Sequence, residues 1–148
     1  MQASDFKEVL RCLNDCGAKY LVVGAYAVMR FTEPRATKDL DIWIDNSPEN
    51  TRRVFRALVQ FGAPLAGIVS ADLEKPGMVL QIGVAPIRVD FLTSLPGLRF
   101  QKAWENHDIV LWEGVQAHFI SKPDLIRAKQ SAGRRSDRQD LRRLKGKK

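Results

Sequence analysis

The chain has 148 residues, 45% of them hydrophobic, with 24 Lys+Arg against 17 Asp+Glu and a formal charge of +7. That length suits one domain, the apolar content excludes wholesale disorder, and no run of about 18 apolar residues offers a membrane span. The charge is unevenly placed. Residues 1–121 hold 13 basic and 14 acidic side chains, whereas residues 122–148 hold 11 basic and 3 acidic. The expected organisation is a core domain over 1–121 and a basic helical segment over 122–148. Asp5, with no apolar stretch behind it, does not read as a secretory leader, which predicts a cytoplasmic protein.

Phe6, Val9, Leu10 and Leu13 recur at helical spacing and predict a first helix, stopped at Gly17. Tyr20-Leu21-Val22-Val23 is a short apolar run, expected as a strand buried on both faces. Gly24-Ala25 breaks it, and residues 25–31 suit a helix. Residues 40–44 alternate, with Leu40, Ile42 and Ile44 on one face and Asp39, Asp41 and Trp43 on the other. Pro48 opens a helix with Val54, Phe55, Leu58, Val59 and Phe61 inward, ended by Gly62. Residues 63–77 give no periodic signal. Residues 78–84 and 87–92 predict a hairpin, 100–106 a short helix, and 108–112 with 115–120 a second hairpin across Glu113-Gly114. Ser121 and Asp124 mark another helix start, and the basic end is helical as far as Leu144. The order α-β-α-β-α-β-β-α-β-β-α-α predicts an α/β (α+β) domain.

Two cysteines four residues apart, Cys12 and Cys16, have no companions for a metal site and read as free thiols. His107 and His118 flank the late hairpin without a nucleophile beside them and read as ordinary strand residues. Trp43 shares the face of the two acids, where packing and stacking on a ligand both suit it.

The acids are the less ordinary feature. Asp39 and Asp41 project from one strand face, about 7 Å apart along the backbone. Asp90 sits between Val89 and Phe91 in an apolar strand, where an unpaired carboxylate is costly. Three carboxylates gathered around Mg²⁺ would remove that cost, because hard cations take oxygen ligands.

Val23-Gly24-Ala25, the spacer, Asp39-Leu40-Asp41 and Val89-Asp90-Phe91 together resemble the nucleotidyltransferase superfamily that includes DNA polymerase β and the minimal nucleotidyltransferases. Arg35-Ala36-Thr37-Lys38-Asp39-Leu40-Asp41 is similar to the Arg-x-Thr-x-Asp-x-Asp arrangement of the abortive-infection-type toxins, and Lys129 with Arg134-Arg135-Ser136-Asp137 and Asp140 resembles their downstream Lys and basic helix. The resemblance implies a mixed central sheet flanked by helices, with a basic C-terminal helical extension. It implies Mg²⁺ or Mn²⁺ on Asp39, Asp41 and Asp90, an NTP as substrate, and nucleotidyl transfer to a hydroxyl. Asp90 would activate that hydroxyl, and Lys129 would join the catalytic set. Gly24, Ala25, Arg35, Thr37 and Lys38 would bind the nucleotide. Ala25 departs from the family's Gly or Ser, so a hydroxyl contact to the triphosphate is lost while a helix N-terminal N–H remains. An RNA acceptor, tRNA included, and an antitoxin partner are implied through the basic end, whose clustered Lys and Arg suit a phosphate backbone. The alternative is a catalytically degenerate module of the same fold that binds nucleic acid or a partner protein.

Overall fold

The computed structural model describes residues 5–37, 39–84 and 87–146. Its elements are α1 (Asp5–Asp15), β1 (Tyr20–Val23), α2 (Gly24–Phe31), β2 (Asp39–Ile44), α3 (Pro48–Phe61), a 3-10 turn (Ser70–Glu74), β3 (Val79–Val84), β4 (Ile87–Leu92), α4 (Phe100–Glu105), β5 (Asp108–Trp112), β6 (Val115–Phe119), α5 (Lys122–Ala132) and α6 (Arg135–Leu144).

The six strands form one mixed sheet in the order β3-β4-β2-β1-β6-β5. The two hairpins lie at its two ends, β3–β4 and β5–β6, both antiparallel. Between them β1 pairs antiparallel with β2 and parallel with β6, and β2 pairs parallel with β4. The all-apolar β1 is buried along its whole length, as a central strand must be when both faces are covered. Helices α1 and α3 pack on each other, and α2 lies against β1 and β2 and reaches α5 and α6. The predicted inward residues Phe6, Val9, Leu10 and Leu13 are all buried, as are Val54 and Leu58; Phe55 and Phe61 are half-buried, and Val59, expected inward, is exposed because the buried face of α3 runs through Thr51, Val54, Ala57 and Leu58.

The helix boundaries follow local chemistry. Ser47 caps α3 by accepting from the Asn50 N–H, and Gly62 ends it in the left-handed conformation at φ 89°, its N–H returned to the Leu58 and Val59 carbonyls. Ser121 caps α5 by accepting from the Asp124 N–H. The basic end is two helices, because Gly133 turns the chain at φ 65°. Residues 63–77, which gave no periodic signal, contain the 3-10 turn; it is anchored by Leu73, which is buried.

Among the described residues no helix is long and apolar enough to cross a membrane. Cys12 and Cys16 are free thiols. His107 and His118 hydrogen-bond to each other at 2.8 Å, and both stack on Trp104. Trp43 is buried edge-on against Phe100, with ring centroids 5.1 Å apart, so its role is packing.

Candidate active site

The parallel register of β2 on β4 sets Asp41 opposite Asp90 and Asp39 opposite Arg88. Side chains alternate along a strand, so Asp39, Asp41, Arg88 and Asp90 share one face of the sheet. Asp90 is only 8% exposed, between the fully buried Val89 and Phe91. The Asp41 carboxyl is pushed up to about 6, first by burial, then by the like charges of Asp90 and Asp39; Lys129 and Arg88 pull it partly back. A carboxylate crowded by two others is a group whose ionised form a divalent cation would stabilise. The donor set, three carboxylates and nothing softer, has the chemistry for Mg²⁺ or Mn²⁺.

Gly24 comes to this face from β1, whose last residue, Val23, pairs with Asp41. Its φ is +69°, and a Cβ built there would lie 2.2 Å from Asp41 Oδ2. Only glycine meets both requirements, the positive φ and the close approach. Gly24 also begins α2, whose N-cap Val23 provides no side-chain acceptor. The first N–H groups of that helix, Ala25 among them, therefore lack a side-chain cap, which is the arrangement that favours an anion.

Arg88 is the member of this group that the sequence reading missed. Its Nε lies 3.1 Å from Asp90 Oδ1 and its Nη2 3.5 Å from Asp39 Oδ2. The guanidinium thus stands between two of the three acids; its hydrogen bond to Asp90, then the charges of Asp90 and Asp39, hold the Arg88 pKa above its ordinary range. The signal was present, because residue 88 precedes Asp90 by two and so shares its face. Among the described residues, no three acid, histidine or cysteine side chains are already drawn together closely enough to hold a metal ion. The backbone brings the acids to one place; the side chains of two of them are engaged with Arg88.

Lys129 comes from α5. Its Nζ lies 3.2 Å from Asp137 Oδ1 and 3.0 Å from Asp140 Oδ2, and its side chain is 13% exposed. Asp140 also accepts from Arg35 at 2.7 Å, and Asp137 from Arg134 at 2.7 Å. Burial alone would raise both acids, but these hydrogen bonds outweigh it and hold both below the ordinary carboxylate range. Lys129 and Arg134 both act electrostatically on Asp41, so this second cluster faces the first.

Of the residues expected around a nucleotide, Gly24 and Ala25 lie at the start of α2, next to Asp41. Thr37 is half-buried on the segment leading into β2. Arg35 is turned to α6 by Asp140, and Lys38 lies outside the described residues.

A groove of about 830 Å³ opens beside this cluster. It is lined by Thr32, Glu33, Pro34 and Arg35 on one side and by Gln139, Arg142 and Arg143 of α6 on the other.

Solved structures share the fold. A lincosamide antibiotic adenylyltransferase, LnuA, in a lincomycin-bound crystal structure, superposes with a TM-score of 0.60 at 15% identity, covering 98% of this chain and 97% of that one. TM1012 of Thermotoga maritima, described as a candidate nucleotidyltransferase, gives a TM-score of 0.56 at 16% identity, covering 99% of this chain and 96% of that one. No curated protein matches the sequence significantly. Residues 2–147, which take in both charged clusters, match the family described as "Nucleotidyl transferase of unknown function (DUF2204)", and the chain belongs to that nucleotidyltransferase family.

Proposed function

We propose that the chain transfers a nucleotidyl group from an NTP to an acceptor hydroxyl, with Mg²⁺ or Mn²⁺ held by Asp39, Asp41 and Asp90. The observation that carries this reading is the convergence of Asp41 and Asp90 in register, with Gly24 cleared of a side chain to let Asp41 in. A divalent cation there would neutralise phosphate charge and acidify the attacking hydroxyl. The chain's own residues do the positioning, which is most of what phosphoryl chemistry asks of a protein. The uncapped N–H groups at Gly24 and Ala25 receive the triphosphate. Asp90 takes the proton of the acceptor hydroxyl. The acceptor oxygen then bonds to the α-phosphorus, the bond from that phosphorus to the α,β-bridging oxygen breaks, and pyrophosphate leaves. Lys129, fixed by Asp137 and Asp140 on the side facing Asp41, offsets the negative charge that gathers there.

The acceptor is read from the groove. Arg35, Arg142 and Arg143 line it, and Arg134, Arg135 and Arg138 continue the same charge along the exposed side of α6. That surface suits a phosphate backbone and repels a cationic small molecule. An RNA, tRNA included, is the acceptor this favours. LnuA acts on a lincosamide antibiotic, and a small hydroxylated acceptor is the second reading that likeness supports. In a toxin–antitoxin setting, an acidic antitoxin would cover the same arginines.

Incubation with each labelled NTP, Mg²⁺ and either total RNA or a panel of small hydroxylated compounds separates these readings. Labelled RNA supports the first and a labelled small molecule the second. If no acceptor is labelled and NTP with Mg²⁺ gives no thermal shift, the degenerate module with Ala25 in its phosphate loop replaces both.

A further inference from the structure

Arg88 has no part in the mechanism above, yet it is in direct contact with the acidic face. It stands opposite Asp39 in the sheet register and two residues before Asp90 on the same strand. Its guanidinium reaches both acids, with Nε 3.1 Å from Asp90 and Nη2 3.5 Å from Asp39. Asp41 is not among its hydrogen-bonded or ion-paired partners; that acid is instead enclosed by Gly24. The three acids are therefore not equivalent. Two share a counter-ion by direct contact; the third lies among like charges that Arg88 and Lys129 offset only at a distance.

We propose that Arg88 is a displaceable counter-cation that occupies the space between Asp39 and Asp90, so that these two acids share a divalent cation only after its guanidinium has moved away. This rests on the metal-dependent reading above. The side chain is suited to such a role. It is 31% exposed, so it can turn outward without leaving a cavity. A phosphate also offers the planar guanidinium a bidentate partner of higher charge than either carboxylate. An incoming triphosphate would draw Arg88 off the acids while bringing a cation with it. Cation loading is thereby conditional on nucleotide, and the acids are kept paired when nucleotide is absent. Arg88 is in this sense a positioning residue, acting through Asp39 and Asp90 and not on the reacting atoms.

The test is Mn²⁺ binding, followed as free Mn²⁺ by electron paramagnetic resonance, to wild type, Arg88→Ala and Arg88→Gln. Each is titrated without nucleotide and with a non-hydrolysable NTP analogue. Removing a neighbouring positive charge at a partly exposed site should tighten Mn²⁺ binding about tenfold without nucleotide. The gain should shrink when the analogue is present, because the wild-type guanidinium is then already displaced. The glutamine variant, which keeps hydrogen-bonding capacity without charge, gives the same reading should the alanine variant fold poorly. Equal Mn²⁺ affinity for wild type and both variants without nucleotide would overturn the role of Arg88 and leave the metal site standing. No Mn²⁺ binding by any of the three, even with the analogue, would overturn both.

Discussion

On the strand face, Asp39 and Asp90 share contact with Arg88 while Asp41 stands beside them without a direct ion pair; between α5 and α6, Asp137 and Asp140 are shared among Lys129, Arg35 and Arg134. In both places the minority charge bridges the majority, but the energetic consequences are opposite. Asp41 is raised towards neutrality, so its ionised form is disfavoured where it stands. Asp137 and Asp140 are lowered, so their ionised forms are favoured. A cluster that holds its charges comfortably contributes to the fold. One that holds them at a cost retains that cost for chemistry, because a bound cation is what removes it.

Two substitutions should break the comparison on its strained side. Asp41→Asn should abolish transfer, by about three orders of magnitude if a metal-ligand contact worth several kcal/mol is lost. The same change should raise the melting temperature, since it deletes one of three crowded negative charges. Activity assays beside thermal melts check both, and a stable, fully active variant would remove Asp41 from the site. Gly24→Ala should be next. The new methyl meets Asp41 Oδ2, and the backbone stays at positive φ, so transfer should fall about a hundredfold with a stability loss of about 1–3 kcal/mol. Unaltered kinetics in this variant would show that the contact between Gly24 and Asp41 has no functional weight.

The same contrast explains what could be read from the sequence. Strand and helix positions were legible because each carries a local period: the alternation around Asp41 and the 3.6-residue spacing of Phe6 to Leu13. Asp39, Asp41 and Asp90 were legible because acids in apolar strands are conspicuous. Arg88 was not, because its meaning depends on the non-local register that sets it opposite Asp39. The inward side of α6 was hidden for another reason. Asp137, Asp140 and Leu144 fall at i, i+3 and i+7 and are all buried, but two of the three are carboxylates. A search for apolar periodicity finds only Leu141 and Leu144 there, too few to mark an inward face. The 3-10 turn Ser70–Glu74 is too short to have a period at all, and a single residue, Leu73, is buried within it.

On the balanced side, Asp137→Ala should destabilise the fold by about 3 kcal/mol, because it leaves a mostly buried Lys129 with half its partners. Urea denaturation measures this, and a loss below about 0.5 kcal/mol would mean the cluster is a surface network of little weight. Acid should reproduce part of the effect. The folded pKa values of Asp137 and Asp140 lie below the ordinary value of about 3.9, so their stabilisation is complete above that pH. It is lost as pH falls below about 4 and these carboxylates take up protons. Denaturation midpoints followed from pH 6 to 3 should therefore fall more steeply in wild type than in an Asp137→Asn/Asp140→Asn double variant.

The smallest effect concerns Arg143, an exposed arginine of the groove. Arg143 lines the groove and is exposed, so its replacement by alanine should leave stability within about 0.5 kcal/mol. If the groove holds an RNA backbone, the variant should bind RNA a few-fold more weakly. More tellingly, the slope of log affinity against log salt should become shallower by about one unit, because one fewer phosphate counter-ion is released. A few-fold change in affinity alone could come from many sources; a change in slope reports on phosphate contact itself. An unaltered slope for Arg143→Ala and for Arg138→Ala would take the acceptor off α6 and return the choice between RNA and a small hydroxylated molecule to the strand face.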